Sequence, residues 1–373
     1  MALVEPGTGN VRGVAQSRPM GRDEKRGQTF LNFSVPTEFG QSSGFQGGST
    51  FKMFTTVAAL KSGIPVGKTY NSPQSMTMPA GTYFDCQGRG VGAWPLKNST
   101  GQGTFNMYTG LRRSVNTYFS QLERDAGLCN TVKAARDMGI KVPERDVVGP
   151  FTLGSTYVST LEMAAAYATA ASGGTYCTPR PVDEILSANG EVLKKYPDSC
   201  KRVMSREVAA QVNDILRGVQ QPGGFGFQNG TALNIDSAAK TGTTNSAQSV
   251  WYVGYTPTLS AAAMISGVNS ADNPASLVGV TLNGVPVNFS QAGGSSLSGP
   301  MWKDAMGVIQ TYLPARTFDA PPQRQPAAAP PAAATGGTQR GGDQPRDAQP
   351  RGGNRGGGDQ ARGGGNGGDR PGR

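Results

Sequence analysis

Ser49-Thr50-Phe51-Lys52-Met53-Phe54-Thr55-Thr56-Val57-Ala58-Ala59-Leu60 places Phe51, Phe54, Val57, Ala58 and Leu60 on a helical period, and Gly63-Ile64-Pro65 stops the pattern. Ser49 is expected at a helix N-terminus, with Lys52 one turn further on. Residues three apart share a helix face, so the Lys52 amine can approach the Ser49 oxygen. A serine hydroxyl is a poor nucleophile until a base takes its proton. The chain has no histidine, which removes Ser-His-Asp and Cys-His catalysis and His-containing zinc sites together. Lysine is then the natural base. To act as one it must be neutral, which requires burial or a nearby positive charge.

Upstream of this helix, Ala2 to Val4 and Val11 to Ala15 are short apolar stretches separated by Pro6-Gly7 and Gly9-Asn10, a hairpin that founds a sheet. Arg18 to Gly48 is rich in Gly, Ser and Gln and reads as loop. Downstream, Phe105 to Arg113 and Thr117 to Ala126 read as two helices broken by a tight turn at Ser114-Val115-Asn116. Ser159-Thr160-Leu161-Glu162 has the capping-box pattern and opens an Ala-rich helix to Ala171, closed by Gly173-Gly174. Ser205 to Val219 is another amphipathic helix. Ala238 to Thr244, Val250 to Tyr255 and Leu259 to Ser266 then read as adjacent antiparallel strands. Met301 to Tyr312 sets Met301, Trp302, Ala305, Met306 and Ile309 on one face, a helix to lie across that sheet. The order predicts an α+β fold, one antiparallel sheet covered by helices.

Three short patterns recur along this framework: Ser49-Thr50-Phe51-Lys52, Ser114-Val115-Asn116, and Lys240-Thr241-Gly242 followed by Thr243-Thr244. Each alone has an ordinary explanation: a helix cap with a solvated lysine, a turn, a strand ending at glycine. Together, in this order and on these elements, they resemble the S-x-x-K, S-x-N and K-T-G motifs of penicillin-binding proteins and serine β-lactamases. The flanks extend the resemblance. Gly47-Gly48-Ser49-Thr50-Phe51-Lys52 is similar to the P-G-S-T-F-K of penicillin-binding transpeptidases, with Gly47 in place of the proline. Trp251-Tyr252-Val253-Gly254-Tyr255-Thr256-Pro257 is similar to the strand after K-T-G in class A bifunctional members, actinobacterial ones included. Gly293-Gly294-Ser295 and Pro300-Met301-Trp302 resemble the entry into their last helix. The similarity runs from about Ala2 to Leu313.

The resemblance implies a β-lactamase/transpeptidase-like α+β fold with an added all-helical lobe. It implies a transpeptidase domain over 1–315 without the family's first helix, the glycosyltransferase domain and membrane anchor belonging to upstream sequence. It implies Ser49 as nucleophile, Lys52 as base with Lys240 as the charge that lowers its pKa, and Ser114 as proton relay to the leaving amine. Asn116 is expected to hold the substrate's peptide backbone. Lys240, Thr241 and Thr243 are expected to hold the terminal carboxylate of D-alanyl-D-alanine, with Gly242 leaving room for it. Backbone N–H groups of Ser49 and Thr243 are expected to meet the oxyanion. The implied activity is peptidoglycan D,D-transpeptidation through an acyl-serine, without a cofactor, at the extracytoplasmic face of the bacterial membrane. Stem peptides and β-lactam antibiotics are the implied partners. Water as acceptor makes the same site a D,D-carboxypeptidase. Rapid deacylation makes it a β-lactamase, for which no deacylating acid is identifiable. A non-enzymatic alternative is an inactive penicillin-binding fragment.

Four cysteines, Cys86, Cys129, Cys177 and Cys200, lack the C-x-x-C spacing of metal or redox sites, so structural pairing in an oxidising compartment is expected. Of the three connectivities, Cys177 with Cys200 is favoured, because a hairpin around Asn189-Gly190 brings its two ends together. Cys86 and Cys129 fit free buried thiols equally well. No apolar run approaches the ~20 residues of a membrane span, so the chain is expected to be soluble. Residues 316–373, with Phe318 as their only aromatic, read as a disordered tail. The tail holds nine of the arginines and five of the aspartates, a net of +4 within the chain's +10. Its Arg-Gly-Gly repeats at Arg351 and Arg362 resemble RNA-binding tails. With no aromatics to stack bases after Phe318, and with interspersed Asp, no nucleic-acid partner is expected.

Overall fold

A computed structural model describes residues 1–322 apart from 270–272 and 283. The main sheet draws on both ends of this range. Strands β1 (Ala2–Val4) and β2 (Val11–Val14) form the expected hairpin. β3 (Ala238–Thr243), β4 (Ser249–Tyr255) and β5 (Ser260–Val268) follow one another as an antiparallel meander. β5 then pairs with β1, Ala262 opposite Ala2. The order is β3-β4-β5-β1-β2, with β6 (Pro274–Ala275) beside the end of β5. β3, the strand of Lys240-Thr241-Gly242, thus lies at an edge of the sheet.

Every residue of β4 is buried, because helices cover both of its faces. Alternate side chains of a strand point opposite ways. Tyr255 meets Tyr167 of α5 (Thr160–Ala171) with ring centroids 5.9 Å apart, and Tyr252 meets Trp302 of α6 (Gly299–Ile309) at 5.0 Å. This two-sided burial explains why Trp251 to Tyr255 reads as an unbroken apolar run rather than an alternating one. The N-terminus of α5 is held by the full capping box: Glu162 N–H donates to Ser159 Oγ (3.3 Å) and Ser159 N–H to Glu162 Oε2 (2.8 Å).

Gly254 lies where Trp302 crosses the sheet, its carbonyl accepting from the indole N–H. A Cβ there would stand 2.5 Å from Trp302 Cζ2. Gly254→Ala is therefore expected to lower the unfolding free energy by about 1–3 kcal/mol, the usual range for an overpacked core. Denaturant titration checks this; an unchanged midpoint contradicts the packing described.

The helical lobe is formed by α1 (Lys52–Lys61), α2 (Met107–Arg112), α3 (Asn116–Ala126) and α4 (Leu128–Asp137). Nine of the ten α1 residues are buried. The helix is wrapped on all sides, a wider burial than its periodic face suggests.

Several local expectations are corrected. The α-helix begins at Lys52, and Ser49 lies in a 3-10 turn over Gly48–Phe51. Helix α4 was not anticipated; its start at Gly127 carries no side-chain cap to announce it. The expected loop from Arg18 to Gly48 contains a helical turn at Thr37–Gly40 and a strand, Phe45–Gln46, paired with Tyr157–Val158. The expected tail does not begin at Arg316. Phe318 packs on Tyr255 at 5.5 Å, and its N–H donates to Asp236 Oδ2 at 3.0 Å, because the segment's one aromatic finds a core to join. The Arg-Gly-Gly repeats and the rest of the expected tail lie outside the described residues. Cys177 is bonded to Cys200 across paired strands, and Cys86 is bonded to Cys129. Among the described residues no helix is long and apolar enough to cross a membrane.

Candidate active site

The turn that carries Ser49 is held from the sheet side. Trp251 Nε1 and Ser249 Oγ both donate to the Gln46 carbonyl at 2.8 Å. From α5, the Tyr167 hydroxyl donates to the Thr50 carbonyl at 2.8 Å. Gly48 adopts φ +59°, a left-handed conformation, and a Cβ there would lie 2.9 Å from Thr243 N. A Cβ on Gly242 would stand 2.7 Å from Gly47 O and 2.9 Å from Thr50 Cγ2. Edge strand β3 therefore lies flush against the turn that carries Ser49. This packing by itself requires the glycine of Lys240-Thr241-Gly242.

On the lobe side, Ser114 closes α2 with φ +52°, and α3 begins at Asn116. The left-handed residue turns the chain sharply enough for Ser114 and Asn116 both to reach Lys52. Lys52 Nζ lies 3.0 Å from Ser49 Oγ, 3.1 Å from Ser114 Oγ, 2.7 Å from the Ser114 carbonyl and 2.7 Å from Asn116 Oδ1. Across the cleft, Lys240 Nζ donates to Ser114 Oγ at 2.9 Å and to the Thr241 carbonyl at 2.8 Å. Ser49, Lys52, Ser114, Asn116 and Lys240 thus converge on one hydrogen-bonded cluster, with the Ser114 hydroxyl between the two amines.

Both lysines are fully buried. Burial drives the Lys52 pKa well below the ordinary lysine value, and the neighbouring Lys240 charge lowers it further. Burial alone brings Lys240 down to about 7. Lys240 is thus both the second charge acting on Lys52 and a group that itself loses its proton near neutrality. A neutral Lys52 amine has two hydrogens and one lone pair. Its two shortest contacts, the Ser114 carbonyl and Asn116 Oδ1, are pure acceptors and take the two hydrogens. The lone pair is left for the Ser49 hydroxyl. The orientation of Asn116 is itself set, since its Nδ2 donates to the Lys97 carbonyl at 2.8 Å.

Of the remaining expected site residues, Thr241 is nearly buried, with Oγ1 3.4 Å from Lys240 Nζ. Thr243 is exposed at the end of β3, and its Oγ1 accepts from the Gly294 N–H at 3.2 Å. Several contributors carry no motif: the carbonyls of Gln46 and Lys97, and the Tyr167 hydroxyl. Backbone carbonyls have no sequence signature, and Tyr167 stands out only as the bulky polar side chain of an Ala-rich helix. Among the described residues, the partners of Lys52 and Ser114 are hydroxyls, carbonyls and lysine, with no carboxylate in the set. Glu123, two turns along α3, is fully buried, and burial pushes its carboxyl well above the usual carboxylate range.

A sheet edge, a serine-lysine pair and a second serine between two buried lysines are thus assembled on a β-lactamase/transpeptidase-like fold. Residues 1–307 match the family described as penicillin binding protein transpeptidase domain, and the chain belongs to that family. It is 31% identical over 304 residues to penicillin-binding protein 1A of Mycobacterium tuberculosis, covering 76% of this chain and 34% of that protein. It is 28% identical over 340 residues to penicillin-binding protein 1A of Mycolicibacterium smegmatis, covering 85% and 38%. The chain spans little more than a third of the length of these relatives. Among solved structures it is similar to PonA1 from Mycobacterium tuberculosis, with TM-score 0.64 and 28% identity, covering 89% of this chain and 83% of that one. The structure of PonA1 in complex with penicillin V is similar too, with TM-score 0.62 and 28% identity, covering 86% and 80%.

Proposed function

We propose that this chain is a peptidoglycan D,D-transpeptidase that works through an acyl-Ser49 intermediate and is acylated by penicillin. The observation that carries the proposal is the fully buried amine of Lys52, its pKa driven down, 2.7 Å from the Ser114 carbonyl and Asn116 Oδ1 and 3.0 Å from Ser49 Oγ, so that in its neutral form the lone pair is left for the Ser49 hydroxyl. Lys52 takes the Ser49 proton as the oxygen attacks the penultimate D-alanine carbonyl. The proton returns through the Ser114 hydroxyl to the departing D-alanine nitrogen. An amine from a neighbouring stem peptide then attacks the acyl-serine along the reverse path, Ser114 and Lys52 receiving its proton. Lys240, Thr241 and Thr243 recognise the terminal carboxylate, and the N–H groups of Ser49 and Thr243 face the developing oxyanion. The extracytoplasmic face of the bacterial membrane, beside the wall polymer, suits a chain with two disulfides.

Labelled penicillin tests this reading. One label per chain is expected, mapped to the peptide containing Ser49, absent in Ser49→Ala and retained for many minutes. Rapid loss of label with turnover of the antibiotic would instead make the protein a β-lactamase.

A further inference from the structure

Helix α3 carries Asn116 at its first position, yet its N-cap residue, Val115, has no side-chain bond to give. The first N–H groups of a helix need acceptors from elsewhere. The Thr117 N–H finds one in Asn98 Oδ1, at 2.9 Å, from a loop nineteen residues upstream. The Asn98 amide is almost fully buried, 3% exposed. Its Nδ2 stands 3.0 Å from the Pro73 carbonyl, 2.8 Å from the Gly101 carbonyl and 2.9 Å from Thr117 Oγ1. The Thr117 hydroxyl in turn lies 3.1 Å from Asn98 Oδ1 and 2.9 Å from the Pro73 carbonyl. One side chain thus ties the Pro73 segment and its own loop to the start of α3. The residue before it, Lys97, supplies the carbonyl that holds Asn116 Nδ2.

We propose that Asn98 is a positioning residue for acyl transfer: by capping α3 from outside, it keeps the Lys97 carbonyl on the Asn116 amide and so keeps the oxygen of Asn116, not its nitrogen, on Lys52. The catalytic half of this proposal rests on the acyl-Ser49 reading above. The orientation matters because a reversed amide would point an N–H at Lys52. That N–H would donate to the lone pair of the neutral amine and compete with the Ser49 hydroxyl for the base. The loop is braced independently of the Asn98 side chain. Its backbone alone holds it in place: the Asn98 N–H donates to the Gln74 carbonyl at 2.8 Å and the Asn98 carbonyl accepts from Gln74 Nε2 at 2.7 Å, neither bond needing the Asn98 side chain. Loss of the Asn98 side chain is therefore expected to loosen the start of α3 without releasing the loop.

The test measures labelled-penicillin acylation of the full chain under saturating antibiotic, separating the first-order rate constant from the final amount of label. Asn98→Ala is expected to lower the rate constant about 10- to 100-fold, the effect of a small misplacement of reacting groups, with the final label per folded molecule unchanged. Asn98→Asp keeps the acceptor for Thr117 N–H, loses both Nδ2 donors, and is expected to fall between the alanine variant and the wild type. A purely structural role reduces the amount labelled and leaves the rate constant alone. A wild-type rate constant in whichever variant folds overturns the proposal. Hydrogen exchange at the Thr117 amide reads the cap without catalysis: it is expected to quicken in Asn98→Ala while the interior of α3 stays protected, and unchanged exchange overturns the capping role. If wild-type Ser49 takes no label, the acyl-transfer reading fails and takes the catalytic half of this proposal with it, while Thr117 exchange still decides the cap.

Discussion

Lys52→Arg is expected to slow labelling of Ser49 by penicillin as severely as Lys52→Ala does, although arginine places a long cationic side chain at the same position. General-base catalysis contributes on the order of 10²–10⁴-fold, and a loss in that range is expected for both variants. The reason lies in protonation, not charge. Lys52 is the residue whose burial and charged neighbour favour the neutral form, whereas a guanidinium does not lose its proton in a protein and offers no lone pair to Ser49. The larger head group also cannot repeat the contacts to Ser114 O and Asn116 Oδ1, both 2.7 Å from Nζ. Mass spectrometry after incubation with labelled penicillin gives the readout, with circular dichroism to show that the variants fold. Substantial labelling of Lys52→Arg would show that position 52 acts as a cation, and the base assignment would fall.

Lys240→Met is expected to make the protein more stable at neutral pH and less reactive. Burial lowers Lys240 from the lysine value of 10.5 to about 7. Between those two pH values the unfolded chain binds more protons at this position than the folded one. Stability therefore rises as pH rises through the window and is lost as pH falls through it. Lys52, lowered in the same direction, adds to that slope. At pH 7 the penalty at Lys240 is on the order of 4 kcal/mol. Methionine escapes it but gives up hydrogen bonds to Ser114 Oγ and the Thr241 carbonyl, about 1 kcal/mol each. The net expectation is a gain of roughly 2 kcal/mol at pH 7 and a flatter dependence between pH 7 and 10, measured by urea unfolding across that range. Acylation should fall, because the substrate's carboxylate loses its cation and Ser114 loses a donor. A less stable Lys240→Met protein at pH 7 would mean that the lysine sits there without strain, against the burial described. Two amines enclosed side by side are a stability deficit accepted for reactivity.

Much of the fold was legible because its determinants are local. The capping box at Ser159 and Glu162 and the turn residues between β3, β4 and β5 announce their elements within a few positions. Helix α4 lacks such a signal, and the strand at Phe45–Gln46 is too short for its pattern to show. Phe318 was set aside with a tail of unfavourable composition, yet its edge-to-face contact with Tyr255 and its N–H bond to Asp236 fasten its segment. In the site, the three motifs brought forward the side chains that meet at the cleft. They carried no trace of the Gln46 and Lys97 carbonyls or of the Asn98 cap, because any residue supplies a carbonyl and a lone asparagine in a loop has no distinguishing pattern.

The sequence by itself determined that this histidine-free chain offers a serine with a lysine one helical turn away, a second serine in a turn between helices, and a second cationic position on a strand. These follow from period, spacing and side-chain chemistry, which act over a few residues. Only the tertiary structure decided that Lys52 is buried with its pKa driven down, which way the Asn116 amide faces, why Gly242 must be glycine, and that Cys86 finds Cys129. Those outcomes depend on exclusion of water and on contacts between segments distant in sequence, neither of which a local pattern encodes.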